Sequence, residues 1–509
     1  MENRIRRKEL LKKVMSAEKA AMFIKDGMNV GISGFTPSGY PKVIPRALAE
    51  RAKKEKFKIN LWSGASTGDK LDGVLARAGV INRRLPYQNN KSVKKGINDR
   101  EIIYTDIHLS KVAQYVRCGF LGPLHIAIVE AVAITPEGNI IPSTSLGNSS
   151  TYVQEAEKVI VELNINQPLS LEGMHDIYTP KDPPNCEPIP LCNVNDRIGT
   201  PYIPCDPKKI VAIVITDERD EGATFVSGEI DNTSMLMANN LINFLKDEVK
   251  KGFLPDNLLP IQSGVGSVAN AVLAGLINSD FSGLRLYSEV LQDSVLDLID
   301  KRKVDMVSCT ALTLSPEGFD HFFSNINQYH DKIVIRPQEI SNSLEIAKRL
   351  GLIAINTAIE ADIFGNVNST HIMGKRMMNG IGGAGDFSRS AYLSIFCTAS
   401  TIKNGTISCI VPMVSHVDHT EHEVNIIVTE QGVADLRNKN PLERAKTIIE
   451  NCAHPDYRPL LNEYLNKGLL SKGHTPLYLP EAFSWYLRFQ ETNSMLPVTK
   501  AGKKRIAAK

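Results

Sequence analysis

The chain has 509 residues, more than one hydrophobic core organises when domains commonly run to roughly 100–200 residues, so two or three domains are expected. Hydrophobic residues make up 42%, charged residues 23%, and the formal net charge is only +3, which excludes the basic excess of a nucleic-acid binder. No run approaches the roughly 18 uninterrupted apolar residues of a membrane helix, the most apolar stretches, such as 125–134, being strand-sized.

In chain order, residues 1–13 are basic but carry Glu2 and Glu9 and have no apolar signal core, which argues against secretion and points to the cytoplasm. Strand-like runs at 28–32, 59–62 and 126–134 alternate with helical patterns at 16–24 and 43–51, the signature of an α/β fold. Residues 178–207 are rich in proline, with Pro183 and Pro184 adjacent, and cannot form a regular core element. A strand at 209–216 follows. A long helix at 232–251 opens a second series, with strands at 258–262, 284–288, 306–308, 332–336 and 352–355. The expected division is an N-terminal α/β domain over 1–220 that includes the proline-rich excursion, a C-terminal α/β domain over 221–498, and a basic disordered tail over 499–509.

The two series echo one another. Gly31 to Phe35 resembles Pro260 to Val265, Leu61-Trp62-Ser63-Gly64 resembles Leu286-Tyr287-Ser288-Glu289, and Gly138 to Thr144 resembles Gly365 to Thr370. A duplicated domain with one active copy is inferred, since Gly64 stands where the second half has Glu289. The eight cysteines form no disulfide scaffold: Cys118, Cys309, Cys397 and Cys409 read as reduced core thiols, and Cys186, Cys192 and Cys205 match no zinc spacing.

The chemistry centres on Glu289, which closes the strand at 284–288, and on two glycine-rich loops that flank it in sequence, 263–266 and 380–386. A carboxylate with an ordinary pKa of about 4.3 is ionised at neutral pH but weakly nucleophilic, so it needs an activated electrophile. Backbone N–H groups of glycine loops polarise such a group. The 263–266 loop joins a strand to a helix at 268–276, at the carboxyl edge of a sheet where α/β sites form; a lone acid at a strand end is otherwise ordinarily solvated.

Gly380, Gly382 and Gly385 also fit the GxGxxG dinucleotide pattern. Residues 375–379 do not read as a buried parallel strand, and no acid stands about twenty residues on for a ribose, so the nicotinamide reading is rejected. A helix expected at 387–396 would instead offer its N-terminus to an oxyanion or phosphate. A plain turn explains one or two glycines, not four in six positions. His416, His419 and His422, crowded with Asp418 and Glu421 between strands at 407–413 and 424–429, form a tempting metal cluster, but the spacing suits a loop and lacks the helical i, i+4 pair. No metal is expected.

Read together, segments 259–266 (LPIQSGVG), 287–290 (YSEV), 336–342 (RPQEISN), 365–370 (GNVNST), 378–383 (MNGIGG) and 429–437 (TEQGVADLR) resemble, in order, the acetyl-CoA hydrolase/transferase family. The resemblance runs from about residue 15 to 497 and is nearest to the succinyl-CoA:acetate CoA-transferases among the class I CoA-transferases. It implies two related open-sheet α/β domains of the class I CoA-transferase type. Glu289 matches the family's catalytic glutamate, which forms a covalent glutamyl-CoA thioester. By the same match, the backbone amides of Val265 and Gly383 make oxyanion contacts, Asn342 stands beside the nucleophile, and Glu430 orients or tunes it. Gly264, Val265, Gly266, Ser267, Val268, Asn379, Gly383 and Lys403 match coenzyme A contacts, although Lys403, before Asn404-Gly405, also reads as a solvated turn residue. The family pattern has an arginine after the strand corresponding to 209–216; Arg219 is the nearest candidate, the segment 217–229 does not align cleanly, and that role stays open.

The activity expected from the resemblance is ping-pong transfer of CoA between short-chain acids, succinyl-CoA with acetate first. Acyl-CoA hydrolysis is the alternative within the family, and non-catalytic acyl-CoA binding the alternative outside it, disfavoured by the presence of Glu289. The partners implied are acyl-CoA and carboxylate substrates, with no further cofactor, no metal, no nucleic acid and no membrane, and the family suggests a homodimer.

Overall fold

The computed structural model describes residues 3–223 and 230–497. The basic tail expected at 499–509 lies outside the described residues. Strands β1 (Asn29–Ile32), β2 (Ile59–Trp62), β3 (Ile81–Leu85), β4 (Ile103–Tyr104), β5 (Ile126–Ile134), β6 (Lys158–Asn164) and β7 (Ile210–Thr216) form a parallel sheet in the order β4-β3-β2-β1-β5-β6-β7. The second sheet contains β8 (Ile261–Ser263), β9 (Leu284–Tyr287), β10 (Val304–Cys309), β11 (Ile333–Ile335), β12 (Ile353–Thr357), β13 (Leu393–Cys397), β14 (Ile426–Thr429) and β15 (Gly432–Asp435). Its order is β11-β10-β9-β8-β12-β13-β14-β15, parallel except for the β14–β15 hairpin. The first seven positions of the two sheets follow one plan: β1 occupies the place of β8, β2 that of β9, and β7 that of β14.

Sheets covered on both faces demand strands apolar on both faces. β5 meets that demand, all nine of its residues being buried. Each fully buried Val, Leu or Ile side chain contributes about 1.5–3 kcal/mol. One continuous core joins the halves, running from Val129 and Val161 of the first sheet to Leu286 and Ile355 of the second. Four helices bear on the site: α1 (Lys91–Asn98), α2 (Leu109–Arg117), α3 (Asn232–Lys250) and α4 (Ser267–Ile277). A fifth, α5 (Ala384–Ser388), is a single short turn. The carboxyl edges of the sheets meet: Leu146 N–H donates to Thr310 O at 2.9 Å, and Leu312 N–H to Thr144 O at 2.9 Å.

Several expectations are corrected. The helix expected at 387–396 is α5 followed by β13, because Leu393-Ser-Ile-Phe-Cys pairs in register with both β12 and β14 and is buried throughout. The strand expected at 407–413 is split into Ile407–Ser408 and Ile410–Val411, which join different small sheets. Leu258 is not in a strand; it sits in a turn with φ of 56°, and β8 begins at Ile261. Cys118 caps the end of α2 and is exposed rather than core, whereas Cys309, Cys397 and Cys409 are buried. Residues 375–379 contain only the two-residue strand Arg376–Met377, paired antiparallel with His371–Ile372.

Candidate active site

Glu289 lies two residues beyond β9, not within it. Its backbone is fixed where the ladder ends: its carbonyl accepts from Thr310 N–H at 2.7 Å and Ala311 N–H at 3.2 Å. The adjoining loop is tied to the β8–α4 loop by two side chains. Ser288 Oγ donates to Ser263 O at 2.9 Å, and Gln292 Nε2 to Gly264 O at 2.9 Å. The glycine loop and the carboxylate are thus held as one unit at the sheet edge.

The Glu289 side chain borders a cavity of about 300 Å3 whose lining comes from both halves: Phe35, Tyr87 and Leu109 from the first, Val265, Asn379 and Gly383 from the second. Asn342 Nδ2 donates to Glu289 Oε1 at 2.5 Å and lies 3.4 Å from Asp386 Oδ2. Burial pushes Glu289 up to about 7, the Asn342 hydrogen bond opposes that shift, and the neighbouring charge of Asp386 adds to it. Burial likewise raises Asp386 to about 6, against hydrogen bonds from Ser110. Desolvating a carboxylate strengthens it as a nucleophile by stripping water and raising its basicity.

Gly383 packs directly on the Glu289 carboxylate. A Cβ there would stand 1.5 Å from Glu289 Oε1 and 2.3 Å from Asn342 Nδ2, so any larger residue displaces those two side chains. The N–H groups of Val265 and Gly383 carry no hydrogen bond among the described residues, and both residues line the cavity beside Glu289. Gly266 begins α4 with φ of 106°, a conformation that favours glycine, while Ser267 and Val268 lie in the first turn of α4 and do not line the cavity. Ser267 Oγ accepts from Ser234 Oγ at 3.2 Å, and Val268 packs on the core.

Other expected residues are placed elsewhere. Glu430 sits in the β14–β15 turn, where it accepts from Ser400 N–H at 2.8 Å, the Ser400 hydroxyl, and Gln431 Nε2 at 3.0 Å; it neither bonds to Glu289 nor lines the cavity. Lys403 occupies an exposed turn with φ of 49°, its Nζ 5.4 Å from the centre of the Phe489 ring. Arg219 is exposed and pairs with Asp320 at 2.8 Å, bordering a separate cavity. The histidines diverge: His416 stacks on His371 at 4.1 Å, and His419 is buried against Phe396 at 4.7 Å. Among the described residues no group of three or more His, Cys, Asp or Glu is placed to hold a metal ion.

Sequence reasoning missed what the first half supplies. Asp386 accepts from Ser110 N–H at 3.0 Å and Ser110 Oγ at 2.6 Å, at the start of α2. Asp106 Oδ2 accepts from Ile381 N–H at 2.9 Å. Gly380 N–H donates to Gln88 O at 3.2 Å, so the second glycine loop is clamped at three points by the half that lacks the glutamate. The available signal was Asp386 itself, a carboxylate directly following a glycine run.

Models of the acetyl-CoA hydrolase/transferase N-terminal and C-terminal domains match residues 1–215 and 318–465. The chain belongs to the acetyl-CoA hydrolase/transferase family. It is similar to the succinyl-CoA:acetate CoA-transferase of Clostridium kluyveri, with 57% identity over 497 residues, covering 97% of this chain and 92% of that one. It is also 44% identical to the acetyl-CoA hydrolase of Schizosaccharomyces pombe over 515 residues, covering 97% and 98%. The crystal structure of RipA from Yersinia pestis matches with a TM-score of 0.72 at 21% identity, covering 90% of this chain and 98% of that one, a likeness of fold. No helix among the described residues is long and apolar enough to cross a membrane.

Proposed function

We propose that this protein is a CoA-transferase that moves CoA between short-chain carboxylic acids, succinyl-CoA and acetate first, through a covalent thioester on Glu289. The observation that carries the reading is the desolvated Glu289 carboxylate, held by Asn342 against Gly383 in a cavity, in a chain 57% identical to a succinyl-CoA:acetate CoA-transferase. A Glu289 oxygen attacks the acyl carbonyl, the C–S bond breaks, and CoA leaves as thiolate, giving a mixed anhydride. The thiolate attacks the glutamyl carbonyl and expels the first acid as its carboxylate. The second carboxylate attacks the glutamyl-CoA thioester and releases the thiolate again, which then takes the new acyl group and returns Glu289 as carboxylate. Charge balances at each step, so the cycle runs on carboxylates and thiolate with no redox group, metal or external base.

In this reading the Val265 and Gly383 N–H groups, without other hydrogen-bond partners among the described residues, stabilise the tetrahedral oxyanions, each donor being worth about 2.7–4 kcal/mol of barrier. Asn342 orients Glu289, and Asn379 with Gly264 and Val265 accompanies the CoA arm. The working form is proposed to be a cytoplasmic homodimer on the family resemblance. Acyl-CoA hydrolysis is the second reading, favoured by the 44% identity to an acetyl-CoA hydrolase. The reading is tested with Glu289→Ala: CoA binding is retained and turnover is abolished, while unchanged turnover sinks the mechanism.

A further inference from the structure

The proline-rich excursion contributes no strand to either sheet and no helix over 178–206, yet its middle is buried. Ile189, Leu191 and Val194 pack in one apolar cluster with Tyr287, Ile340 and Phe387 of the second half. Each of those three partners adjoins a site residue: Tyr287 stands two before Glu289, Ile340 two before Asn342, and Phe387 directly after Asp386. Tyr287 and Ile340 are joined in turn, the Tyr287 hydroxyl donating to Ile340 O at 2.6 Å. The excursion therefore packs behind the carboxylate, the amide that holds it and the acid beside them.

Polar ties fix it there. Ile189 N–H donates to Glu345 Oε1 at 3.0 Å, and Arg349 Nη1 donates to Ile189 O at 2.7 Å and Leu191 O at 3.0 Å. The buried Arg336, six residues before Asn342, donates to Val194 O at 3.2 Å, to the Asp196 carbonyl, to the Asp176 carboxylate and to Ser308 Oγ at 2.8 Å. Arg117, in the last turn of α2, pairs with Asp182 of the excursion at 2.8 Å and with Glu339, three before Asn342, at 2.9 Å. Proline fixes φ, so an irregular segment rich in it loses less entropy on ordering and stays stiff without regular hydrogen bonding.

Resting on the reading of Glu289 as the nucleophile, we infer that the excursion is a brace that positions Glu289, Asn342 and Asp386 from behind, with Leu191 and the Arg117–Glu339 pair as its positioning residues. None of these three lines the catalytic cavity. They act through the close-packed layer between, which passes a displacement on rather than absorbing it. The ionisable groups that face Glu289 are Asp386 and Tyr87, with His108 and Arg389 against Asp386. None belongs to the excursion, so an effect of the uncharged Leu191 on the ionisation of Glu289 passes through geometry, by way of the Asn342 hydrogen bond.

The test uses the full chain carrying Leu191→Ala, Leu191→Met, or Arg117→Met/Glu339→Gln, which removes both charges of the pair, each also combined with Asn342→Ala. Kinetics are run well below the melting temperature of the least stable variant. Leu191→Ala and the paired variant are expected to lower kcat for acetyl-CoA about tenfold or more, with KM changed less than about twofold, and to move the acid limb of kcat/KM to higher pH. Leu191→Met, which conserves volume, stays within about threefold of wild type. In the Asn342→Ala background the loss shrinks to about threefold or less, because the bond being loosened is already gone. Folded variants whose kcat and acid limb match wild type overturn the inference, and so does an equal fold-loss in both backgrounds, the mark of a segment that only stabilises the fold. Carbodiimide labelling of Glu289, followed against pH by peptide mass spectrometry, reads its protonation without turnover. Wild type that neither transfers nor hydrolyses contradicts the parent function alone; a labelling midpoint raised in Leu191→Ala then still supports the brace, and an unmoved one overturns it.

Discussion

At the scale of single residues, the account turns on the protonation of Glu289. With its carboxyl pushed up to about 7, only the ionised fraction attacks, so kcat/KM for acetyl-CoA rises with pH through an acid limb near 7. Asn342→Ala removes the hydrogen bond that opposes the shift, so the limb moves to higher pH while kcat falls; a pH–rate profile of both proteins checks this. The same group affects stability. Its folded pKa exceeds the unfolded value of 4.5, so its stabilising contribution is complete below that value and is lost as pH rises through about 7. Glu289→Gln is therefore expected to melt higher than wild type at pH 8, by the equivalent of roughly 1–3 kcal/mol, and to converge with it towards pH 4.5. Gly383→Ala drives a methyl group into Glu289 Oε1, and the displaced nucleophile loses about 10²-fold in kcat or more, with circular dichroism reporting a retained fold.

At the scale of elements, the site depends on α2 clamping the second glycine loop. Ser110→Ala deletes one of the two hydrogen bonds from Ser110 to Asp386, at a cost of about 1 kcal/mol, and lets Asn342 drift, so kcat falls several-fold more than KM changes; denaturant melts with steady-state kinetics separate the two effects. The parallel strands were legible because runs such as 126–134 are apolar on nearly every position and too short for helices. β13 was not, since Leu393 to Cys397 follows a glycine loop where a helix is usual, and only pairing with β12 and β14, distant in the chain, settles its state. Glu289 and the Ser263 to Gly266 loop were found because both stand where a strand gives way to a loop. Asp386 and Ser110 escaped because they meet across 276 positions of sequence, a closeness no local pattern records.

At the scale of the whole molecule, the two sheets share one plan, and Glu289 follows the second strand of the second sheet where the first has Gly64. The first half forms a wall of the site. It supplies Phe35, Tyr87 and Leu109 to the cavity and Asp106 and Ser110 to the glycine loop. On the transferase reading, that wall keeps water from the acyl-enzyme, which is the physical difference between transfer and hydrolysis. Phe35→Ala opens it, and the ratio of free CoA released to CoA transferred is expected to rise several-fold; an unchanged ratio places the water barrier elsewhere. The echoes between Leu61 to Gly64 and Leu286 to Glu289 made the shared plan of the two halves legible, whereas the meeting of the two carboxyl edges is a product of tertiary packing.

The most direct test of the central claim is a mass-resolved assay of the protein with acetyl-CoA, with and without succinate, following succinyl-CoA, free CoA and any CoA adduct on the peptide that contains Glu289. Succinyl-CoA rising with little free CoA, together with an adduct on Glu289, is the result expected of a glutamyl-thioester transferase. Free CoA accumulating regardless of succinate, or transfer with no adduct on Glu289, contradicts it.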